Sequence, residues 1–326
     1  MHKELELWQF IADRLEQSQP VMLLVVATSS GSSPGRPGYK MAVAEDGELM
    51  GSVGGGVMEV NLVEQSRAAL SVPGAVTTAA FIDQVHRKNV PHSSGMICSG
   101  KQTVIFKLLT PNDLETVHSA INGIKTRDGS RLAITPDLVG VQQSQYVNAQ
   151  DFQFVRQSNT EFEYHERLGA KNDLILIGGG HCALALSGLM SKLDFHVRLF
   201  DDRPQLNTIE KNRFANEISV VDTYEQIGKH VCSSDRAFVV VMTLGYTTDA
   251  VVIRQLIDKD FKYFGVLGSK AKMATLFREL LEEGSAKERL DRIHTPIGLP
   301  INSHSPEEIA VSIAAEIIAV KNDAKL

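Results

Sequence analysis

The sequence has few cysteines and no long apolar run, which are the features of disulfide-rich, zinc-binding, secreted and membrane proteins. Its 326 residues include three cysteines, Cys98, Cys182 and Cys232, which lie too far apart for a disulfide framework or a paired zinc motif. No apolar run reaches the roughly 18 residues of a membrane span. The first residues lack the apolar core of a signal peptide. We therefore expect a cytoplasmic protein without a membrane span.

The chain also lacks an excess of basic residues, with 33 Lys and Arg against 39 Asp and Glu. The formal net charge is −6 and the isoelectric point is near 5.9, whereas binding to nucleic acid needs a basic surface. This balance excludes nucleic acid as the main partner. The length of 326 residues predicts two domains.

The most informative stretch lies in the second half of the chain. Residues 174–177 form an apolar run, Gly178, Gly179 and Gly180 follow it, and a second apolar run over 197–200 leads into Asp201. The positions of Gly178, Gly180 and Ala183 match the dinucleotide fingerprint, whose third glycine can be alanine. The pattern predicts a strand, a glycine turn that opens a helix, and a second strand that ends in a carboxylate.

Each part of this fingerprint has an expected role. Gly178 permits the tight turn, and Gly180 lets a pyrophosphate approach the backbone amides at the start of the helix. Asp201 stands where a carboxylate would meet a ribose hydroxyl. His181 either lies over the bound pyrophosphate or caps the loop.

The alternation of strands and helices after residue 170 indicates an α/β fold. Strands predicted near 174–177, 196–200, 218–221, 237–243 and 262–267, with helical patterns between most of them, favour a Rossmann-like parallel-sheet domain over residues 171–326. Residues 1–145 are predicted to form an α+β domain. The segment 146–170, rich in Gln and Asn, is either a linker or a set of edge strands.

Two loops of the first domain suit an anion. Ser32, Ser33 and Arg36 lie on a loop stiffened by two prolines, with Lys40 just beyond it. The run Gly54, Gly55 and Gly56 precedes a predicted helix, where bare backbone amides could hold a phosphate. Arg36 is the candidate for direct phosphate contact. The alternative is a rigid turn and an ordinary helix start.

Residues 95–102 nearly match the P-loop motif. Gln102 stands where that motif has a serine or threonine, and a β-rich run follows where a helix must begin, so we interpret the segment as a glycine turn into a strand. Cys98 lies in this turn with Lys101 nearby. It is either a reactive thiol or a small buried apolar side chain.

Together these stretches resemble the xanthine dehydrogenase accessory protein family, the XdhC/CoxI group. The resemblance spans most of the chain. It rests on many short matches in the same order, namely Gly31 to Pro34, Arg36 to Gly38, Lys40-Met41, Gly51 to Val53, Glu59, Cys98, Gly178 to His181, Asp201 to Arg203, Arg213-Phe214, Leu267 to Ser269, Ile293 to Leu299 and Pro306 to Ile313.

The resemblance implies a helper protein rather than a metabolic enzyme. Family members bind molybdenum cofactor (molybdopterin), protect its sulfurated form and deliver it to an apo molybdenum hydroxylase of the xanthine dehydrogenase type. A cysteine desulfurase is the implied sulfur donor, and a homodimer is expected. In this interpretation the cofactor lies between the glycine loops of the first domain and residues 178–183, with Arg36 on its phosphate and Cys98 at its dithiolene or metal end.

Some positions depart from the family pattern. Val57 stands where relatives usually have a cysteine after the glycine run, Gly54 where serine is common, and Ser99 where glycine is usual. Leu244 and Tyr246 replace histidines. Cys98 is then the family-pattern thiol that remains. The competing hypotheses are an oxidoreductase that uses NAD(P) through the same fingerprint, and a redox or nucleotide sensor that regulates a partner by contact.

Overall fold

The computed structural model describes residues 3–72, 78–85, 100–143 and 150–324. They divide into two compact units, Met1–Gly169 and Ala170–Leu326. The expected fold class is confirmed: antiparallel sheets with helices make up the first unit, and a parallel sheet with helices makes up the second.

The first unit contains a central antiparallel sheet whose strands follow the order β3-β2-β1-β5-β4. The strands are β1 (Val21–Gly31), β2 (Lys40–Ala44), β3 (Leu49–Gly51), β4 (Ala80–Val85) and β5 (Gly100–Leu109). The helices are α1 (Lys3–Glu16), α2 (Gly56–Leu70) and α3 (Leu114–Thr126), the last preceded by a 3-10 turn at Pro111–Asp113.

Strand β1 is apolar at successive positions because both of its faces are buried. Leu24 and Val26 pack in one cluster with Leu62 of α2. Leu23 and Val25 pack on the opposite face with the cluster around Trp8 of α1. Since neighbouring side chains of a strand point to opposite faces, a strand between two layers reads as a continuous apolar run.

A second antiparallel sheet completes the first unit, in the order β7-β6-β9-β8. Its strands are β6 (Ser130–Ile134), β7 (Val139–Gln143), β8 (Phe152–Arg156) and β9 (Phe162–Arg167). The described residues of the segment 146–170, for which the sequence allowed a linker or edge strands, therefore include two strands. Tyr164 and Phe162 of β9 are buried in the same cluster as Trp8.

The second unit is built on a parallel sheet with the order β12-β11-β10-β13-β14. The strands are β10 (Asn172–Ile177), β11 (Phe195–Asp201), β12 (Glu217–Val220), β13 (Ser234–Val241) and β14 (Phe261–Val266). The helices are α4 (His181–Met190), α5 (Asn207–Glu210), α6 (Tyr246–Leu256), α7 (Lys270–Glu282), α8 (Lys287–Leu290) and α9 (Pro306–Lys321), with a 3-10 helix at Tyr224–Lys229.

Helices cover both faces of this sheet. Ile175 and Ile177 pack with α6 and α7, whereas Leu174 and Leu176 pack with α4 and α9. The strand order reverses at β10, whose neighbours are β11 and β13. Ligands of doubly wound sheets bind beyond the carboxyl ends of the strands at this reversal, which is where Gly178–Gly180 leave β10.

Candidate functional site

In the first unit, the predicted anion-binding loops lie against each other. A Cβ atom on Gly54 would come within 2.6 Å of the backbone nitrogen of Gly35, and one on Gly100 within 2.5 Å of that of Ser33. Only glycine fits at such close approaches. The loop 31–38, the glycine run 54–56 and the start of β5 therefore form one continuous backbone surface.

Gln102 holds these loops together from inside. Its Oε1 accepts hydrogen bonds from the Ser33 hydroxyl at 2.8 Å and from the Gly35 N–H at 3.2 Å. Its Nε2 donates to Gln84 Oε1 at 2.8 Å and to the Val53 carbonyl at 3.4 Å. Ser33 is buried and its hydroxyl donates to Gln102. We therefore do not include Ser33 among the proposed ligand contacts. No local pattern in the sequence indicated this role for Gln102.

The amides of the glycine run are partly occupied by the chain itself. Glu59 Oε2 accepts hydrogen bonds from the N–H groups of Val53 at 2.8 Å and Gly55 at 2.9 Å, and from the Ser52 hydroxyl at 2.7 Å. The Gly54 N–H donates to the Ser52 hydroxyl at 3.1 Å. The Glu59 carboxylate therefore occupies amides of the glycine run that were predicted to hold a phosphate. The open amides begin at Gly56, in the first turn of α2.

Lys40 lies in a buried ion cluster. Its Nζ donates to Glu166 at 2.7 Å, to Glu4 at 2.9 Å and to the Gly38 carbonyl at 3.2 Å, which uses all three of its hydrogens. Burial opposes the charge, but the carboxylates of Glu166 and Glu4 outweigh it and raise the pKa of the Lys40 ammonium. Lys40 therefore stabilises the fold here, and we leave it out of the proposed phosphate contacts.

Ser32 and Arg36 remain available to a ligand. Both are exposed, and within the described chain neither side chain has an ion pair or hydrogen bond. Gly55, whose added Cβ would meet no atom within 4 Å, leaves open space at the glycine run. Cys98, predicted to be the thiol and metal ligand of this region, lies outside the described residues.

In the second unit, the Asp201 carboxylate stabilises the glycine turn. Its carboxylate is fully buried. It accepts hydrogen bonds from the Gly179 N–H at 2.6 Å and from Arg203 through N–H, Nε and Nη2 at 2.9, 2.8 and 2.7 Å. Burial disfavours ionisation, but the hydrogen bonds from Arg203 and Gly179 hold the pKa of Asp201 below its ordinary value.

The surroundings of Gly179 are also filled. A Cβ there would lie 2.8 Å from Ile209 of α5, and the Thr208 hydroxyl donates to the Gly179 carbonyl. In the usual dinucleotide site, a ribose occupies the space between the turn and the acid at the end of the second strand. In this chain Arg203 contacts the acid and α5 contacts the turn.

The start of α4 is more open. An added Cβ on Gly180 would meet no atom within 4 Å, and His181 is exposed. The amides of the first helical turn are therefore accessible to an anion. Cys182 is half-buried, and burial together with the Glu307 carboxylate raises the pKa of its thiol. It is a packing residue rather than a nucleophile.

Beyond β13, the loop that faces the reversal point is held by a buried carboxylate. Asp249, 1% exposed, accepts from the Thr243 N–H at 3.1 Å and from the Lys272 ammonium at 2.7 Å. Leu244, which replaces a histidine of the family pattern, is 82% exposed in the same loop. An apolar side chain therefore stands where a hydrogen-bonding one is expected.

Two family models match this geometry. The XdhC Rossmann domain matches residues 174–317, and the XdhC and CoxI family matches residues 14–78. Together they cover well over half of the chain. The chain belongs to the XdhC and CoxI family. Membership suggests an accessory role toward xanthine dehydrogenase, and the predicted resemblance is confirmed.

Several known proteins are similar to this chain. "Uncharacterized protein YqeB" of Escherichia coli is 26% identical over 313 residues, which are 95% of this chain and 45% of that protein, so the chain spans less than half of this relative. A Bacillus subtilis protein, named as a probable subunit of xanthine dehydrogenase, is 24% identical over 94% of this chain and 95% of its own length. A crystal structure described as a xanthine dehydrogenase from Bacillus halodurans shares the fold over 100% of this chain and 97% of its own, with a TM-score of 0.74 and 23% identity.

The described part of this XdhC-family chain contains neither a metal cluster nor a membrane helix. Residues 3–72, 78–85, 100–143 and 150–324 contain no group of three or more His, Cys, Asp or Glu side chains suited to a metal ion. Within the same ranges, no helix is long and apolar enough to cross a membrane.

Proposed function

We propose that this chain binds molybdenum cofactor and inserts it into an apo molybdenum hydroxylase of the xanthine dehydrogenase type. The observation that carries the proposal is an exposed Arg36, free of ion pairs in the described chain, on a loop that packs against a glycine run with open first-turn amides. Membership of the XdhC and CoxI family supports this choice of cofactor class. When bound, the cofactor would supply a phosphate at one end and sulfur-ligated molybdenum at the other.

The first unit offers the phosphate contacts. Arg36 supplies a planar guanidinium that suits two phosphate oxygens at once. The Ser32 hydroxyl and the Gly56 amide supply neutral donors from the same loops. A phosphate held here by a guanidinium and backbone dipoles binds reversibly, as a carrier requires.

Cys98 is the proposed contact for the sulfur and metal end. One residue, Ser99, separates it from Gly100, which packs on Ser33. A thiolate is a soft ligand that suits molybdenum and sulfur chemistry. A cysteine desulfurase is the proposed sulfur donor, and the chain is proposed to act as a homodimer.

In the second unit, Gly178–Gly180 and His181 are proposed as an anion-binding region of their own, through the open amides of α4. The alternative, an NAD(P)-dependent oxidoreductase, has the Rossmann fold in its favour. It requires a carboxylate free to receive a ribose. The burial of Asp201 and its hydrogen bonds to Arg203 and Gly179 count against that requirement.

The test is retention of the cofactor. The protein is purified from a host that makes molybdenum cofactor and is denatured, and the released compound is identified by pterin fluorescence and mass. We expect oxidised pterin from the wild type and a loss of about tenfold or more from Arg36→Gln, since a charge-assisted bidentate contact is worth about 1.5–3 kcal/mol. Lys125→Gln, a change of an exposed cation on α3, is the matched control.

The remaining arms separate the alternatives. Cys98→Ser should abolish retention of the sulfurated form and spare the pterin itself. NAD or NADP as the only released compound would replace the carrier hypothesis with the oxidoreductase. Equal pterin in Arg36→Gln and Lys125→Gln would remove the phosphate site from the first unit.

A further inference from the structure

Helix α9 leaves one apolar side uncovered in the described chain. Val311 and Ile318 are 49% and 36% exposed, and Ala315 between them is partly exposed. The opposite side of the helix, which includes Ile313 and Ile317, is buried in the core of the second unit. A surface helix normally carries polar side chains on its outer side. An apolar outer side therefore indicates a surface that a partner covers.

The spacing of these residues is that of a contact between two helices. Val311, Ala315 and Ile318 are separated by four and then by three positions, which is the a/d spacing of the seam between packed helices. Exposed polar residues continue the same spacing at the two ends, Glu308 before the seam and Asn322 after it. Ala315 lies at the middle, where its small side chain lets a second helix approach closely.

Helix α4 widens the apolar surface beside α9. The two helices pack against each other in one cluster, and the ten residues of α4 include no Asp, Glu, Lys or Arg. Its partly exposed side chains next to that cluster are Cys182, Ala185 and Leu189. The 16 residues of α9 span about 24 Å and two neighbouring helices about 20 Å. Two such faces bury on the order of 1,000 Å² in total, the size at which specific interfaces begin.

The ends of α9 argue that the partner is a second copy of this chain. Glu307 lies in the first turn and Lys321 in the last, and neither has an ion pair within the described chain. They are two heptads apart and therefore lie on the same side of the seam. In an antiparallel pair of α9 helices, Val311 meets the copy's Ile318, and the Glu307 end meets the Lys321 end. A two-fold axis near Ala315 pairs apolar with apolar and acid with base.

We propose that α9, with α4 beside it, is the face through which two copies of this chain associate, their α9 helices antiparallel about a two-fold axis near Ala315. This inference rests on the homodimer of the proposed function and assigns the surface that forms it. It does not depend on the cofactor, because Val311, Ala315 and Ile318 are not among the proposed ligand contacts.

The experiment measures the mass of the full chain in solution by sedimentation equilibrium over a range of concentrations. We expect a dimer with a Kd of about 10 μM, as suits a small interface, and a Tm that rises with protein concentration. Val311→Glu and Ile318→Glu should each weaken the dimer at least tenfold, because each places a charge in the seam. Val220→Glu on β12 is the matched control, since Val220 is also 49% exposed and lies outside α4 and α9. Circular dichroism checks that all three variants are folded.

The charges at the helix ends test the antiparallel arrangement. Glu307→Lys and Lys321→Glu should each weaken the dimer by about threefold, because ion pairs at the rim of an interface are weak. The double variant should recover the wild-type Kd, since each acid again meets a base. Such a recovery is not expected of two substitutions that merely disturb the fold.

The outcomes separate this face from the other proposals. A monomer at about 100 μM, ten times the expected Kd, would overturn both the homodimer and the face. An unchanged dimer in Val311→Glu and Ile318→Glu, or equal weakening by Val220→Glu, would overturn the face and keep the homodimer. Failure of the double charge variant to recover would overturn the antiparallel arrangement. Loss of pterin retention would alter none of these results, so the cofactor proposal fails separately.

Discussion

At the residue scale, the neighbouring residues Asp201 and Asp202 differ in burial and in their hydrogen bonds. Asp201 is fully buried and bonded to Gly179 and Arg203, whereas Asp202 is one-third exposed and lies 4.0 Å from Arg203. We expect Asp201→Asn to lower the free energy of unfolding by about 2–3 kcal/mol, because it leaves a buried N–H and a guanidinium without their anion. Asp202→Asn should change it by less than about 0.5 kcal/mol. Urea denaturation measures both, and equal effects would contradict the structural role of Asp201.

The same carboxylate gives a pH dependence with a definite sign. The pKa of Asp201 is lowered in the folded chain by its hydrogen bonds from Arg203 and Gly179, against the effect of burial. Its contribution to stability is therefore complete above the unfolded-state pKa of about 3.9 and is lost as the pH falls through the lower folded-state value. The difference in unfolding free energy between wild type and Asp201→Asn should be constant from about pH 6 to 5 and shrink below about pH 4. A difference that grows on acidification would show the opposite sign.

Substitution of Glu59 tests whether the amides at the glycine run and at the start of α2 bind an anion. Its carboxylate occupies the amides of Val53 and Gly55, and its charge repels a phosphate that approaches the neighbouring Gly56. Glu59→Gln should cost about 1 kcal/mol of stability, because charge-assisted hydrogen bonds become neutral ones. It should nevertheless raise pterin retention by about tenfold at an effective dielectric constant near 20.

The matched control is Glu64→Gln. This exposed carboxylate lies further along α2, past the amides of the glycine run. It should alter neither stability nor retention. Reduced retention in Glu59→Gln would show that the ligand needs the nest in its present form, and would argue against phosphate binding at the start of α2.

At the scale of elements, Gln102 joins β5 to the loop 31–38 and to the glycine run. Gln102→Glu would place an oxygen where Nε2 now donates to Gln84 Oε1 and to the Val53 carbonyl. A buried charge that faces two acceptors should lower the unfolding free energy by about 3 kcal/mol and raise protease sensitivity of the loops. Gln153→Glu on β8, an exposed site, controls for the charge. Equal melting temperatures for the two variants would refute this bridging role.

Elements with local signals were predictable. Ser305, Pro306 and Glu308 form the local pattern of a helix start, with an N-cap serine, a first-turn proline and a capping-box glutamate, and the structure has α9 beginning at Pro306 with a Ser305–Glu308 capping box. The apolar run from Val21 to Ala27 has the pattern of a buried strand, and β1 covers it. The strand continues to Gly31 because Thr28–Gly31 pair with β5. That extension depends on residues roughly 70 positions away, so no local pattern reports it.

The candidate site likewise contains some features that local sequence patterns predict and others that depend on distant residues. The glycine turns and the exposed Arg36 were visible in the sequence because they depend on neighbouring residues. Lys40 and Ser33 looked equally available, yet each is bonded to a distant residue, Glu166 and Gln102 respectively. Such pairings form only when strands far apart in sequence meet. Sequence patterns therefore identified the loops and overstated the number of free side chains on them.

At the scale of the whole molecule, the second unit carries its own core. The buried side chains on the two faces of the parallel sheet all come from residues 174–317, and every strand of that sheet lies within the unit Ala170–Leu326. A segment with a complete sheet, helices on both faces and a self-contained core meets the conditions for independent folding.

We therefore expect residues 170–326, expressed alone, to fold and to unfold cooperatively. Calorimetry should give a heat-capacity change near about 2 kcal/mol/K, the value for a domain of this length at about 12–15 cal/mol/K per residue. Asp201→Asn should lower the Tm of this fragment as it does that of the full chain, because all partners of the carboxylate lie inside the fragment. A fragment that binds hydrophobic dye, melts without cooperativity and shows no response to Asp201→Asn would mean that the parallel sheet depends on the first 169 residues for its packing.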